Sequence, residues 1–290
     1  MNRQTTESIL GTAAALFLAT LVAIAGSDGS ARVGSVSLFA LCAVIAFVIQ
    51  WLAFVPAYLG QTERFYDLVG SLTYLTVVAC ALSLSGHLDA RAVLLGGMVA
   101  IWAVRLGQFL FRRVHADGFD RRFNRIKTDA ARFFMTWTLQ GLWVFLTLAA
   151  ALAALSSAGR EPLGWVAAIG FAMWCSGFVI EVIADRQKRT FRADPENQER
   201  FISSGLWAWS RHPNYFGEVL LWSGVTVVAL PVLSGWQWVT LISPVFVFIL
   251  LTRVSGTPML EARANKQWGN DADYQAYKSR TPAFMLRPPG

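Results

Sequence analysis

Long apolar stretches alternate with short polar ones along the chain. Eight such stretches stand out, at about 8–26, 35–59, 66–85, 90–111, 133–155, 163–184, 215–231 and 235–252. Most reach the roughly 17–25 residues that a membrane-spanning helix needs. The pattern therefore predicts an all-α, polytopic membrane helical bundle of seven to eight transmembrane helices. The last two stretches are shorter, and Pro231 with Gly235 separates them, so they read either as a hairpin that barely spans or as one broken helix. The first stretch is longer than a signal-peptide core. Its nearest approach to a cleavage site is Ala23-Ile24-Ala25, so it is expected to remain as a span.

Composition agrees with this pattern. Of 290 residues, 55% are hydrophobic and 15% charged, where a soluble domain carries about 25% charged residues. The placement of the +7 net charge matters more than its size. Nineteen of the 25 Lys and Arg lie in three segments, with seven in 112–132, six in 185–214 and six in 253–290. The loops near 27–34, 86–91 and 156–162 carry one Arg each. Positive loops stay on the cytoplasmic side. With eight spans, all three basic segments then fall there, together with the N-terminus and the loop at 60–65. Charge beside spans argues against a nucleic-acid partner. The tail beyond Arg253, with Glu261, Arg263, Lys266, Asp271, Tyr274, Tyr277, Lys278 and Arg280, reads as an amphipathic helix over the cytoplasmic face. Cys42, Cys80 and Cys175 lie inside apolar stretches without Cys-x-x-Cys spacing, so they read as packing residues. His87, His115 and His212 are too few and too scattered for a multi-histidine metal centre, and no metal is expected.

The polar residues within the spans carry the chemical information, because ionisable groups at membrane depth are costly and usually functional. Glu63, Asp67, Ser71 and Tyr74 are spaced to share one helical face leading from the loop into the third span. A plain helix start with acids in its first turn accounts for Glu63 but less well for the deeper members. Arg105 sits six or seven residues inside the fourth span. It reads equally as a side chain snorkelling to the interface or as the partner of a buried acid or a ligand. The loop 112–132 mixes both charges with aromatics, which fits either an ordered contact or a solvated basic loop. Asp185, Arg189 and Arg192 follow the sixth span at spacings of 4 and 3, again one face, before Asp194-Pro195 breaks the helix. Arginine rows suit phosphate because the guanidinium offers a fixed fork of donors.

Trp209-Ser210-Arg211-His212-Pro213-Asn214-Tyr215-Phe216-Gly217-Glu218 opens the seventh span. Pro213 suits a first helical turn, and Asn214 and Glu218 lie one turn apart. The chain has neither a Gly-x-Gly-x-x-Gly turn after a strand nor a Walker loop. A nucleotide would have to be held by helix ends and basic loops, its phosphates met by Arg and Asn.

These residues resemble the steroid 5α-reductase family. Arg211–Glu218 is similar to that family's C-terminal signature, and Ala184-Asp185-Arg186-Gln187-Lys188-Arg189-Thr190-Phe191-Arg192 resembles its cofactor loop. Ser204-Gly205-Leu206-Trp207 and Tyr274–Thr281 fit the same pattern. Thr62–Asp67 with Gly70–Tyr74 resembles its bacterial, DUF1295-like branch. The resemblance divides the chain into N-terminal spans, 1–60, and a catalytic membrane domain, 61–290. It implies NADPH-dependent reduction of the C4=C5 double bond of 3-oxo-Δ4 steroids or similar lipid enones, in a bacterial inner membrane with the site open to the cytoplasm. It further implies a lipophilic substrate; membrane lipid is the expected surrounding partner, and the chain is expected to be a monomer.

The implied cofactor residues are Asp185, Arg189, Arg192, Arg200 and Asn214, with Arg211, His212, Tyr215, Glu218 and Tyr277 added from the same segments and Arg105 from the fourth span. The family's catalytic Gln-Glu pair is matched most nearly by Gln61 and Glu63, which are not adjacent, and its catalytic Tyr has no match near Trp102–Arg105. Glu63, protonated through burial, with Tyr66 or Tyr74, is the expected donor to the substrate carbonyl. Gln61, Asp67 and Ser71 are expected beside the substrate. Membrane methyltransferases that use S-adenosylmethionine share an Arg-His-Pro-x-Tyr segment followed by Glu, so that activity stands as the alternative, with lipid transport behind it.

Overall fold

The computed structural model describes residues 3–86, 88–117 and 123–289, with residues 112–117 described by their backbone alone. Among the described residues the fold is all-α apart from one small hairpin. The helices are α1 (Arg3–Gly26), α2 (Leu38–Leu59), α3 (Tyr66–Leu84), α4 (Ala90–Asp117), α5 (Ala130–Ser156), α6 (Trp165–Ala193), α7 (Pro213–Ala229), α8 (Ile242–Ile249), α9 (Thr257–Trp268) and α10 (Ala272–Arg280). Eight helical segments among the described residues are long and apolar enough to cross a membrane, which gives the chain the makeup of a multi-pass membrane protein.

The last two apolar stretches are separate segments. One is Pro213–Val232, in which a 3₁₀ turn continues α7. The other is Gly235–Trp268, which passes from a 3₁₀ turn (Gly235–Leu241) through α8 and a π-turn (Leu250–Val254) into α9. Gly235 starts the second segment with φ +49°, a conformation that costs a glycine little. The hairpin, which apolar periodicity did not predict, pairs β1 (Arg32–Val33) antiparallel to β2 (Val36–Ser37) around Gly34 at φ +60°. The single tail helix expected beyond Arg253 is instead two. Gly269 ends α9, and Asp271 caps α10 by accepting from the Asp273 and Tyr274 backbone N–H groups. Residues 118–122 of the basic segment 112–132, and His87, lie outside the described residues.

The chain forms two compact units, Met1–Ala167 with Val228–Ser243, and Ala168–Val227 with Pro244–Gly290. In the first, α5 is central and packs against α1, α2 and α3, while α3 also packs on α4. Asp129 starts α5 by accepting from the Arg132 N–H at 2.9 Å. The buried run Ala149, Ala150, Ala151, Ala153 and Ala154 lets neighbouring backbones approach closely. Polar side chains stitch α2, α3 and α5 together. Gln50 Nε2 donates to Thr73 Oγ1 at 2.7 Å, and Gln140 Nε2 donates to Gln50 Oε1 at 3.2 Å and to the Tyr66 carbonyl at 2.7 Å.

In the second unit, α6 and α7 cross through glycines. A Cβ added to Gly217 would stand 2.6 Å from the Gly177 carbonyl oxygen, and one on Gly224 would stand 2.5 Å from that of Gly170. Such small-residue crossings replace the hydrophobic drive that helices lack in lipid.

Candidate functional site

The polar residues of the second unit gather where α6 leaves its apolar stretch and α7 begins. Asp185, Arg189 and Arg192 all lie on α6, which continues unbroken to Ala193, so their spacing does place them on one helical face. The Asn214 amide, in the first turn of α7, donates to Asp185 Oδ1 at 3.3 Å. Two residues 29 positions apart are thereby joined. Arg189, Arg192 and Arg200 are exposed. Arg192 Nη1 donates to the Gln198 carbonyl at 3.0 Å, and its guanidinium lies 5.5 Å from the Trp268 ring centre. Asp194 caps the short 3₁₀ turn Pro195–Asn197, which ends the α6 direction as its Asp-Pro pair predicts.

The segment between α6 and α7 is held tightly. Gly205 turns at φ +60°. Gln187 Oε1 accepts from the Leu206 N–H at 3.0 Å, and the Trp207 indole donates to the Ala184 carbonyl at 3.1 Å. The Lys188 ammonium sits 4.7 Å from the Trp207 ring centre. Tyr277 donates its hydroxyl to the Trp207 carbonyl at 2.7 Å. Burial pushes the Tyr277 phenol above the usual tyrosine range, so it remains a donor.

Next to this segment lies a charge cluster built from Arg211, His212 and Glu261. Arg211 Nε and Nη2 donate to the two Glu261 oxygens at 3.0 and 3.1 Å. Its Nη1 donates to the Thr281 and Lys278 carbonyls at 2.7 and 2.9 Å. His212 Nε2 meets Glu261 Oε1 at 3.1 Å. The His212 ring is buried and stacks on Tyr215 with centres 5.5 Å apart. Burial lowers the His212 pKa more than the Glu261 carboxylate raises it, so the neutral imidazole donates through Nε2. Its Nδ1 is then an acceptor, with no hydrogen-bond partner among the described residues. Glu218 is half-buried on α7. Arg211 and Tyr277 thus have their polar groups committed within the protein, whereas Arg189, Arg192, Arg200 and Asn214 present donors at or near the surface.

Sequence reasoning missed two acids. Glu181, one turn before Asp185 on α6, is buried. An acid inside the 163–184 stretch was the available signal. Glu261 reads in sequence as one charge among many on a tail helix, and nothing local marks it as the partner of Arg211.

In the first unit, the expected stripe is only partly helical. α3 begins at Tyr66, so Glu63 lies in the preceding turn while Asp67, Ser71 and Tyr74 lie on the helix. Gln61 takes φ +48° at the break from α2, is exposed, and donates to the Tyr58 carbonyl at 2.8 Å. Glu63 is 4% exposed, and Lys127 Nζ donates to its Oε2 at 2.7 Å. Tyr66 donates to the Thr136 carbonyl at 3.0 Å and packs edge-on against Trp137. Tyr74 is buried, edge-on to Trp102. Ser71 is buried against Gly107 of α4, and Asp67 and Arg105 are half-buried.

The family model described as "Protein of unknown function (DUF1295)" matches residues 53–281. Among curated proteins, 3-oxo-5-alpha-steroid 4-dehydrogenase 1 of Bos taurus is 32% identical over 120 residues, which are 40% of this chain and 41% of that protein. The protein of the same name from Rattus norvegicus is 30% identical over 112 residues, 38% of each chain. Probable O-methyltransferase ustE of Ustilaginoidea virens is 32% identical over 88 residues, 30% of this chain and 31% of that one. The chain spans less than half the length of each of these relatives.

Proposed function

The chain belongs to the DUF1295 family of steroid 5α-reductase-like membrane proteins, and from that premise we propose that it is an NADPH-dependent reductase of 3-oxo-Δ4 steroids or similar lipid enones. The observation that carries the reading is the Asp185–Asn214 hydrogen bond with Arg189 and Arg192 on the same face of α6. It fits a dinucleotide carrying several phosphates. The exposed Arg189, Arg192 and Arg200 would hold phosphate oxygens. Asp185 and Asn214 offer an acceptor and a donor for ribose and amide groups. A sulfonium cofactor without phosphates would leave the arginine row without a counter-charge. When bound, NADPH supplies the hydride.

The protein's own contribution is to bind, orient and exclude water. An enone accepts hydride poorly until its carbonyl oxygen is hydrogen bonded, and a donor fixed in a dry site is worth far more than the same donor in water. Glu63, Tyr66 and Tyr74 are the proposed residues for this role, with Lys127 Nζ hydrogen bonded to Glu63 beside them. Gln61, Asp67 and Ser71 are proposed to line the substrate's path. The remaining residues, Arg105 of α4 with Arg211, His212, Tyr215, Glu218 and Tyr277, are proposed as cofactor neighbours, Arg211 and Tyr277 acting by holding the segment that precedes Asn214. The basic loops support a bacterial inner membrane with the site facing the cytoplasm, and the apolar helices suit a monomer surrounded by lipid.

Methyl transfer from S-adenosylmethionine is the second reading, favoured by the O-methyltransferase relative. Purified protein is assayed for oxidation of NADPH against a panel of 3-oxo-Δ4 steroids and shorter enones. Turnover with any of them supports the reductase. Methylation of a lipid by S-adenosylmethionine, with no NADPH oxidation across the panel, rejects it.

A further inference from the structure

At the opposite end of α3 from Glu63, residues 86 and 88–91 and residues 160–163 line a cavity of about 550 Å³. Arg91, 3% exposed, donates from Nη1 to the Val228 carbonyl at 2.5 Å and from Nη2 to the Pro162 and Glu161 carbonyls at 2.9 and 3.3 Å. Its Nε has no hydrogen-bond partner among the described residues. Arg160 reaches Asp89 Oδ2 through Nη1 at 3.4 Å, while its buried Nε and Nη2 have no partner among the described residues. Asp89 already spends Oδ1 on the Ala92 N–H at 2.7 Å, capping α4. These three buried donors belong to two side chains that line one cavity, and buried donors of this kind are normally met by an acceptor.

The arrangement specifies that acceptor. Arg160 offers a fork of two donors and Arg91 a single Nε, a set that calls for an anion with several oxygens, and phosphate satisfies it best. Two carboxylates, of Asp89 and Glu161, line the same cavity and balance the two arginines, so a ligand carrying a cation beside its phosphate suits the site better than a bare anion. The position also matters. α3 ends at Leu84, α4 starts at Ala90, α5 ends at Ser156 and α6 starts at Trp165, so the cavity lies where apolar helices reach the water interface. Leu88, Leu163 and Trp165 are exposed around it, as residues at a bilayer boundary are.

We infer that this cavity binds the phosphodiester headgroup of a zwitterionic, ethanolamine-type phospholipid, with phosphate on Arg160 and Arg91 and ammonium toward Glu161 and Asp89. The site would anchor lipid at the end of the first unit away from Glu63, independently of the proposed chemistry. Native mass spectrometry of the full chain, released from detergent with phosphatidylethanolamine, phosphatidylglycerol or inorganic phosphate added, tests it. The wild type should retain one phosphatidylethanolamine in preference to phosphatidylglycerol, and Arg160→Gln should retain it at least about fivefold less. Glu161→Gln, an exposed change that leaves the arginines in place, should erase the preference between the two lipids. Equal retention by Arg160→Gln, an undiminished preference in Glu161→Gln, or protection of the wild type by inorganic phosphate as strong as by the lipid would each overturn the assignment.

Discussion

Arg211 and Glu261, 50 positions apart in sequence, form a two-pronged ion pair with N···O distances of 3.0 and 3.1 Å. The pair ties the segment before α7 to α9, and the remaining Arg211 donor fastens it to the carbonyls that end α10. Both side chains are largely shielded from water, so removing one partner strands the other. Glu261→Gln is expected to lower unfolding stability by about 2 kcal/mol, the size of a charge-assisted hydrogen bond lost in a shielded site. Thermal unfolding in detergent measures this. A midpoint equal to the wild type would show that the pair contributes nothing.

His212 gives the same cluster a pH dependence with a definite sign. Its folded pKa lies below the ordinary histidine value because burial disfavours the imidazolium. The groups facing it are Glu261 on α9, Arg211 beside it and Lys188 on α6, and the two cations add to the effect of burial. A base with a depressed folded pKa leaves the unfolded chain binding more protons. The stability it contributes is complete above the ordinary value of about 6.5 and is lost as pH falls below it. The unfolding midpoint should therefore decline on going from pH 7 to pH 5, and His212→Gln should flatten that decline. A midpoint that rises on acidification would contradict this assignment of charge.

The glycine crossing of α6 and α7 leaves no room for a side chain. Gly217→Leu would push atoms into the Gly177 carbonyl and the Glu181 backbone, and overpacking of this kind costs about 1–3 kcal/mol. Because Asn214 and Asp185 sit on these same two helices, the variant should also weaken cofactor binding. Unfolding and ligand titration on the one variant check both effects. A shift in neither would mean that the helices part without consequence.

Glu63→Gln and Lys127→Met address the buried ion pair of the first unit. Each is expected to reduce NADPH-dependent turnover by about tenfold to a hundredfold, the range for one positioned donor, while leaving cofactor affinity within about twofold. Steady-state kinetics with separate cofactor titrations distinguish the two effects. Unchanged turnover in both variants would remove Glu63 and Lys127 from the chemistry.

The fold was legible in the sequence wherever local pattern decides it. Eight apolar stretches gave eight candidate spans because length and hydrophobicity alone set them. The Asp185, Arg189 and Arg192 face held because it depends only on an uninterrupted helix. Three features were not legible, each for a physical reason. Glu63 fell off its expected helix because the backbone break at Gln61, with its left-handed φ, delays α3 to Tyr66. Lys127 and Glu261 could not be named as partners of Glu63 and Arg211, since periodicity carries no information about contacts 64 and 50 positions apart. The tail was read as one helix because its charges repeat smoothly across Gly269 and Asp271, and only the cap at Asp271 shows the break.

The central claim is that a polyphosphate dinucleotide rests on the arginine row of α6. Calorimetric titration of the purified protein with NADPH and with S-adenosylmethionine tests it directly, using wild type and the double variant Arg189→Ala, Arg192→Ala. The account predicts that NADPH binds the wild type and that the double variant binds it at least about tenfold more weakly, the loss of one or two charge-assisted hydrogen bonds. Binding of S-adenosylmethionine with none of NADPH, or NADPH affinity that is unchanged in the double variant, would contradict it.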